Sequence, residues 1–193
     1  MQSIIQKEFN NHIASAKSTL TNISDNLENA ANICIDCLRD GGKIILFGNG
    51  GSASDAQHIA AELVGRYKNE REALSAIALT TDTSAITSIG NDYGYDVIFE
   101  RQVEALANLN DVIIAISTGG KSLNVINGIK TANKIGCKTI GFSGRDGGEF
   151  NNICNLNLIV PSIETARIQE MHILIGHIIC QLIDIEFTQT GLS

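Results

Sequence analysis

Five short apolar runs, at residues 43–47, 76–79, 112–117, 138–142 and 156–160, alternate along the chain with stretches of helical periodicity. Runs that are apolar throughout, instead of at every second position, belong to strands covered on both faces, and the helical stretches between them supply the crossovers. The pattern predicts an α/β fold with a doubly wound, mainly five-stranded parallel sheet flanked by helices. Residues 1 to about 40 have a different rhythm: two helical patterns separated near residues 21–25, where Ser24 or Asp25 is placed to cap the second, predict an N-terminal helical hairpin. The single proline, Pro161, closes the last strand run before a long helix over residues 164–187. Residues 171–183 of that helix are almost wholly apolar, yet they include His172, Gly176, His177 and Gln181 and fall short of the roughly 20 residues a membrane span needs. They read as a buried helix. No repeat, low-complexity tract or linker interrupts the pattern, so residues 1–193 are read as one domain, with 1–40 as a helical extension.

Composition narrows the function. A net charge of −7 excludes a general nucleic-acid or acidic-membrane surface, because such surfaces need basic stripes. An anionic ligand must therefore be held by local features such as helix N-termini, loop amides, a lysine or a metal ion. Five cysteines, an odd number in a chain without a signal-like start, predict a reduced, cytoplasmic setting. Cys34 and Cys37 form a C-x-x-C, but they continue the apolar stripe of Ala30, Ile33, Cys34, Cys37 and Leu38. They are expected to pack in the core and not to bind metal or exchange disulfides.

In a sheet of this kind, ligands sit beyond the carboxyl ends of the strands where the strand order reverses. Polar loops follow four of the runs, at residues 48–52, 80–84, 117–122 and 143–148. The first, Gly48-Asn-Gly-Gly-Ser-Ala53, matches the glycine pattern of dinucleotide sites, but no acidic residue stands about 20 positions later; Asp82 is too far on. Ser117-Thr-Gly-Gly-Lys-Ser122 offers three hydroxyls and an ammonium at a helix start, with Ser122 at the cap position. That suits a terminal phosphate better than a pyrophosphate bridge. Directly after the first loop, His58 and Glu62 lie one turn apart on a helix, about 40° around it and roughly 6 Å along it. Both reach one ligand, as an acid/base pair or as metal ligands. Gln169, Glu170, His172 and His177 are either satisfied core groups or site groups facing a cavity.

Five motifs occur in order over nearly the whole chain: Gly48-Asn-Gly-Gly-Ser52, His58-x-x-x-Glu62, Gly90-Asn-Asp92, Ser117-Thr118 with Ser122, and Arg167-Ile-Gln-Glu-x-His172 followed by His177. Together they resemble the phosphoheptose isomerases of the sugar isomerase (SIS) domain superfamily. The resemblance implies isomerisation of sedoheptulose 7-phosphate to D-glycero-D-manno-heptose 7-phosphate, which leads to the heptose of bacterial lipopolysaccharide. It implies a zinc ion on His58, Glu62, Gln169 and His177, with Glu62 and His177 as the acid/base pair. It also implies substrate contacts from Asn49, Gly50, Gly51, Ser52, Glu62, Asn91, Asp92, Ser117, Thr118, Gly119, Ser122 and Gln169, and a homotetramer in which the first 40 residues take part. Gly119 stands where the family usually has a second serine, so one phosphate hydroxyl is absent and backbone amides and Lys121 are expected to compensate; Ala166 stands where some members have an aspartate.

The chemistry suits those residue types. Moving a carbonyl from C2 to C1 through an enediol needs a base that carries a proton between carbons and a partner for the oxygens, and a carboxylate with an imidazole does this near neutral pH. Gln169 and His177 are about 12 Å apart along one helix, whereas two ligands of one zinc lie within roughly 4 Å. One of the two is therefore expected from a neighbouring subunit, with the apolar last helix packed against its copies. The rival reading is a SIS adaptor that associates with the bacterial replication initiator and is similar to this chain at residues 166–172. Such adaptors lack the glutamate and the last histidine, and this chain has both Glu62 and His177.

Overall fold

In the computed structural model, which describes residues 1–189, each apolar run becomes a strand: β1 (Ile44–Gly48), β2 (Ala76–Ala78), β3 (Val112–Ile116), β4 (Lys138–Gly144) and β5 (Leu156–Val160). The helices are α1 (Gln2–Arg39), α2 (Gly51–Val64), α3 (Thr83–Tyr93), α4 (Ile98–Leu106), α5 (Leu123–Ile135), α6 (Phe150–Ile153) and α7 (Thr165–Gln189). Every strand pair is parallel, in the order β2-β1-β3-β4-β5. β1 and β3 are buried along their whole length, as strands covered on both faces must be. Their side chains alternate between two cores. Ile44, Leu46 and Ile114 meet α1, α2 and α7 on one face, while Ile45, Phe47 and Ile113 meet α4 and α5 on the other. From β1 the chain moves outward to β2, then returns past β1 to build β3, β4 and β5. The switch point therefore falls between β1 and β3, and the loops at 48–52 and 117–122 open there together.

The expected N-terminal hairpin is one continuous 38-residue helix. At the anticipated break, Thr21 Oγ1, Asn22 Nδ2 and Ser24 Oγ donate to the carbonyls of Lys17, Ser18 and Leu20 at 3.1, 2.7 and 2.5 Å. Residues that favour caps are satisfied inside the helix by back-bonding one turn down, and no glycine or proline stands between residues 2 and 39 to stop it. Thr19, Ile23 and Leu27 are buried on one side of the same stretch, which anchors it.

α7 is long and apolar enough over Thr165–Thr188 to cross a membrane by length and composition. It packs instead against α1, α2 and the sheet, and it buries Arg167, His172 and Asp184. Cys34 and Cys37 are free and buried, with burial pushing the Cys37 thiol up to about 11 and the Cys180 thiol to about 12. These are core thiols without thiolate character.

His172, left open between core and site, is a core group. It is fully buried, its Nε2 lies 3.0 Å from the Ser143 carbonyl, and Nδ1 has no hydrogen-bond partner, so a second proton would be stranded. Burial lowers its pKa from 6.5 to about 4, against the opposing hydrogen bond to Ser143. The folded state therefore resists protonation that the unfolded chain accepts. Stability conferred by neutral His172 is complete above pH 6.5 and is lost as the pH falls to about 4. We predict a loss of about 3 kcal/mol across that window. Urea denaturation of wild type and His172→Gln, which keeps a donor for Ser143, should show a flatter pH dependence in the variant.

Candidate active site

β1 ends at Gly48, and the chain turns through Asn49 and Gly50 into α2. Gly50 has φ +57, and the amides of Ser52 and Ala53 donate to the carbonyls of Asn49 and Gly50, both at 3.0 Å. These bonds close the first turn of α2, whose N-terminus lies at the switch point, where the helix dipole favours an anion. Gly51 lies directly against α7: a Cβ there would stand 2.5 Å from Gln169 Nε2. Asn49 and Asn124 exchange two carboxamide hydrogen bonds of 2.9 Å, and the Tyr95 hydroxyl donates to Asn49 Oδ1 at 3.0 Å. These bonds tie the glycine loop to the first turn of α5 across the switch point.

The second loop completes the mouth. Ser117 is buried, and its Oγ lies 3.2 Å from Ser122 Oγ. Ser122 occupies the cap position of α5, yet its hydroxyl turns to Ser117 and makes no side-chain cap bond. Thr118 and Gly119 are half-buried beside it, and the space where a Cβ on Gly119 would sit is open to 4 Å. The exposed Lys121 ammonium stands 3.9 Å from the Asp146 carboxylate. Asn91 and Asp92 lie on the exposed end of α3, where Asn91 Nδ2 donates to Asp92 Oδ1 at 2.8 Å.

α2 and α7 run parallel. Gly51 faces Gln169 at one end, and two turns on Ile59 faces Gly176, where an added Cβ would run into the isoleucine side chain. This register sets His58 against His177. His58 Nε2 lies 3.0 Å from Glu62 Oε1 and 3.3 Å from His177 Nε2, and the Tyr67 ring stacks on His177 with centroids 5.4 Å apart. Two imidazole nitrogens and a carboxylate oxygen fall within 4.8 Å of one another. Converging lone pairs at this spacing suit a tetrahedral cation site with room for further ligands. Burial, helped by His58 and Lys68 and opposed by Glu62, lowers the pKa of His177, favouring the neutral ring that can ligate or accept a proton. Gln169 of the same chain is at the other end of this register, about 12 Å up the helix from His177.

Asp55 is a site-face group that the sequence reading passed over. Burial raises its carboxyl pKa to about 6, with His58 opposing, and its Oδ2 has no hydrogen-bond partner. The spacing of Asp55, His58 and Glu62, at i, i+3 and i+7, places all three on one helix face and was the available signal. Tyr67 had no such signal, since the segment between α2 and β2 carries no periodicity.

The SIS domain family matches residues 8–144. The chain is 58% identical over 188 residues to a phosphoheptose isomerase of Aliarcobacter butzleri (strain RM4018), covering 97% of this chain and all of that protein. Among solved structures, the phosphoheptose isomerase from Neisseria gonorrhoeae matches with a TM-score of 0.91 and 44% identity, over 95% of this chain and 98% of that one. The phosphoheptose isomerase from Francisella tularensis matches with a TM-score of 0.92 and 37% identity over the same shares.

The α2–α7 register rests on the close approach at Gly176. Gly176→Ala forces the helices apart or Ile59 out of its rotamer, and we predict a loss of about 1 to 3 kcal/mol in urea denaturation. Unchanged stability would show that the contact has slack.

Proposed function

The chain belongs to the SIS domain family and, within it, to the phosphoheptose isomerases, and we propose that it converts sedoheptulose 7-phosphate to D-glycero-D-manno-heptose 7-phosphate. One observation carries the reading: the His58, Glu62 and His177 cluster lies one sugar's length from the glycine loop. Seven residues of α2 separate Gly51 from His58, about 10 Å. An extended seven-carbon chain from C1 to its phosphorus spans about eight single bonds, also about 10 Å. With the phosphoryl group at the N-terminus of α2 and the loop of Ser117, Thr118, Gly119 and Ser122, the first two carbons reach the acid/base pair. Asn49, Gly50, Gly51 and Ser52 line the phosphate end of this reading, and Gln169, Asn91 and Asp92 contact the sugar.

In this proposal Glu62 takes the proton from C1 and returns it to C2, while neutral His177 moves protons between the two oxygens. Zn2+ fits the donor set of His58, Glu62 and His177 and, when bound, supplies a positive charge that polarises the sugar oxygens. His58 then serves as a ligand, with the Glu62 carboxylate oriented beside it. Gln169 enters the same set from a neighbouring subunit, because the copy on the same helix is at Gly51. A homotetramer with sites at subunit interfaces accommodates this, and the exposed Ile4, Ile5, Phe9 and Ile13 on α1 suit a role for residues 1–40 in assembly. The free thiols suit a cytoplasmic setting. The adaptor reading has no support: Glu62 and His177 are both present and face one centre, and the relatives described above are named as isomerases.

Turnover of sedoheptulose 7-phosphate by metal-loaded and chelated protein, with sedimentation of the active species, tests the proposal. Glu62→Gln should lower kcat by about a hundredfold or more, as expected for loss of a general base. Near-normal turnover in that variant would overturn the assignment, and a fully active monomer would overturn the shared site. Because the space at Gly119 is open, Gly119→Ser should be tolerated and lower KM by about threefold to tenfold, the worth of one hydrogen bond.

A further inference from the structure

Arg71, in the segment between α2 and β2, makes a set of bonds that the reaction outlined above does not use. Its Nε donates to Asp184 Oδ1 at 2.6 Å, its Nη2 to the Glu62 carbonyl at 2.9 Å, and its Nη1 to the carbonyls of Leu63 and Glu72 at 3.0 and 2.9 Å. The second oxygen of Asp184 accepts from the amides of Lys68 and Asn69 at 2.8 and 2.9 Å. The Arg71 and Asp184 side chains are 1% and 0% exposed.

The two residues join the elements that carry the acid/base pair. Glu62 and Leu63 stand in the last turn of α2, where carbonyls lack helical partners and a cation is favoured. Asp184 follows His177 by seven residues and so shares its face of α7. The same bonds fix the segment that holds the Tyr67 ring on His177. A buried ion pair adds little net stability over an apolar pair of similar volume, since desolvation offsets its attraction. What this one supplies is a fixed distance: the backbone of Glu62 is pinned to the α7 face that presents His177.

We propose that Arg71 and Asp184 are positioning residues, a brace that holds Glu62 and His58 against His177 in the geometry the reaction and the metal need. The proposal rests on reading those three residues as the site. Arginine is required because a planar fork reaches three directions at once; a lysine ammonium keeps the charge but cannot span Asp184 and the end of α2 together.

The test uses Arg71→Lys, Asp184→Asn and the apolar double replacement Arg71→Met with Asp184→Leu, the last chosen to remain folded if the single variants do not. Each folded variant is titrated with Co2+ and assayed with sedoheptulose 7-phosphate well below its melting temperature. Co2+ affinity and kcat should each fall by about tenfold or more, the usual effect of losing an outer-shell partner. KM should stay near the wild-type value, because the phosphate end lies two turns away on α2. A folded double variant with wild-type Co2+ affinity and kcat would overturn the brace, whatever its melting temperature. Wild-type protein that binds Co2+ but does not turn over the sugar would instead sink the isomerase reading, and Co2+ affinity would still decide the brace.

Discussion

The parallel contact between α2 and α7 is the constraint on which the site depends. Because α2 starts at the carboxyl end of β1 and α7 follows the carboxyl end of β5, both helices leave the parallel sheet from the same end, and one register fixes every pair along them. Gly176 on Ile59 permits the close approach. Gly51 on Gln169 and His58 on His177 are its consequences at the two ends. A shift of one residue would turn either helix by about 100° and send His58 and His177 to different surfaces.

α2 divides the work along its length. Its first turn offers backbone amides and the positive end of the dipole, the right environment for an anion in a chain whose net charge of −7 gives no general attraction. Its second to fourth turns carry Asp55, His58 and Glu62 on one face, where burial raises the Asp55 carboxyl pKa. In the proposed reading, separating the binding end from the chemical end lets a long phosphorylated chain be anchored by one terminus while the other is worked upon.

The sheet was legible because continuous apolar runs of strand length have few other readings, and the loops after them followed from the rule that ligands gather at the carboxyl ends. The N-terminal helix was misread at residues 21–25, where Thr21, Asn22 and Ser24 resemble a cap by composition. Their side chains bond back into the helix once Thr19 and Ile23 are packed, and packing is what a local pattern does not contain. Gln169 is a second case: helix geometry set its distance from His177, but only the register showed that it rests on Gly51.

The sequence by itself determined the fold class, the glycine turn, and the placing of His58 and Glu62 on one face, because each depends on periodicity or on spacing within a single element. It also singled out His177, through a motif and not through geometry. Tertiary structure alone decided that His177 meets His58, that His172 is a neutral core group, that Asp55 is half-buried, and that Arg71 reaches Asp184 across 113 positions. Those facts depend on which helices touch and at what register. That is set by the shape of the packed interface, which no stretch of sequence expresses alone.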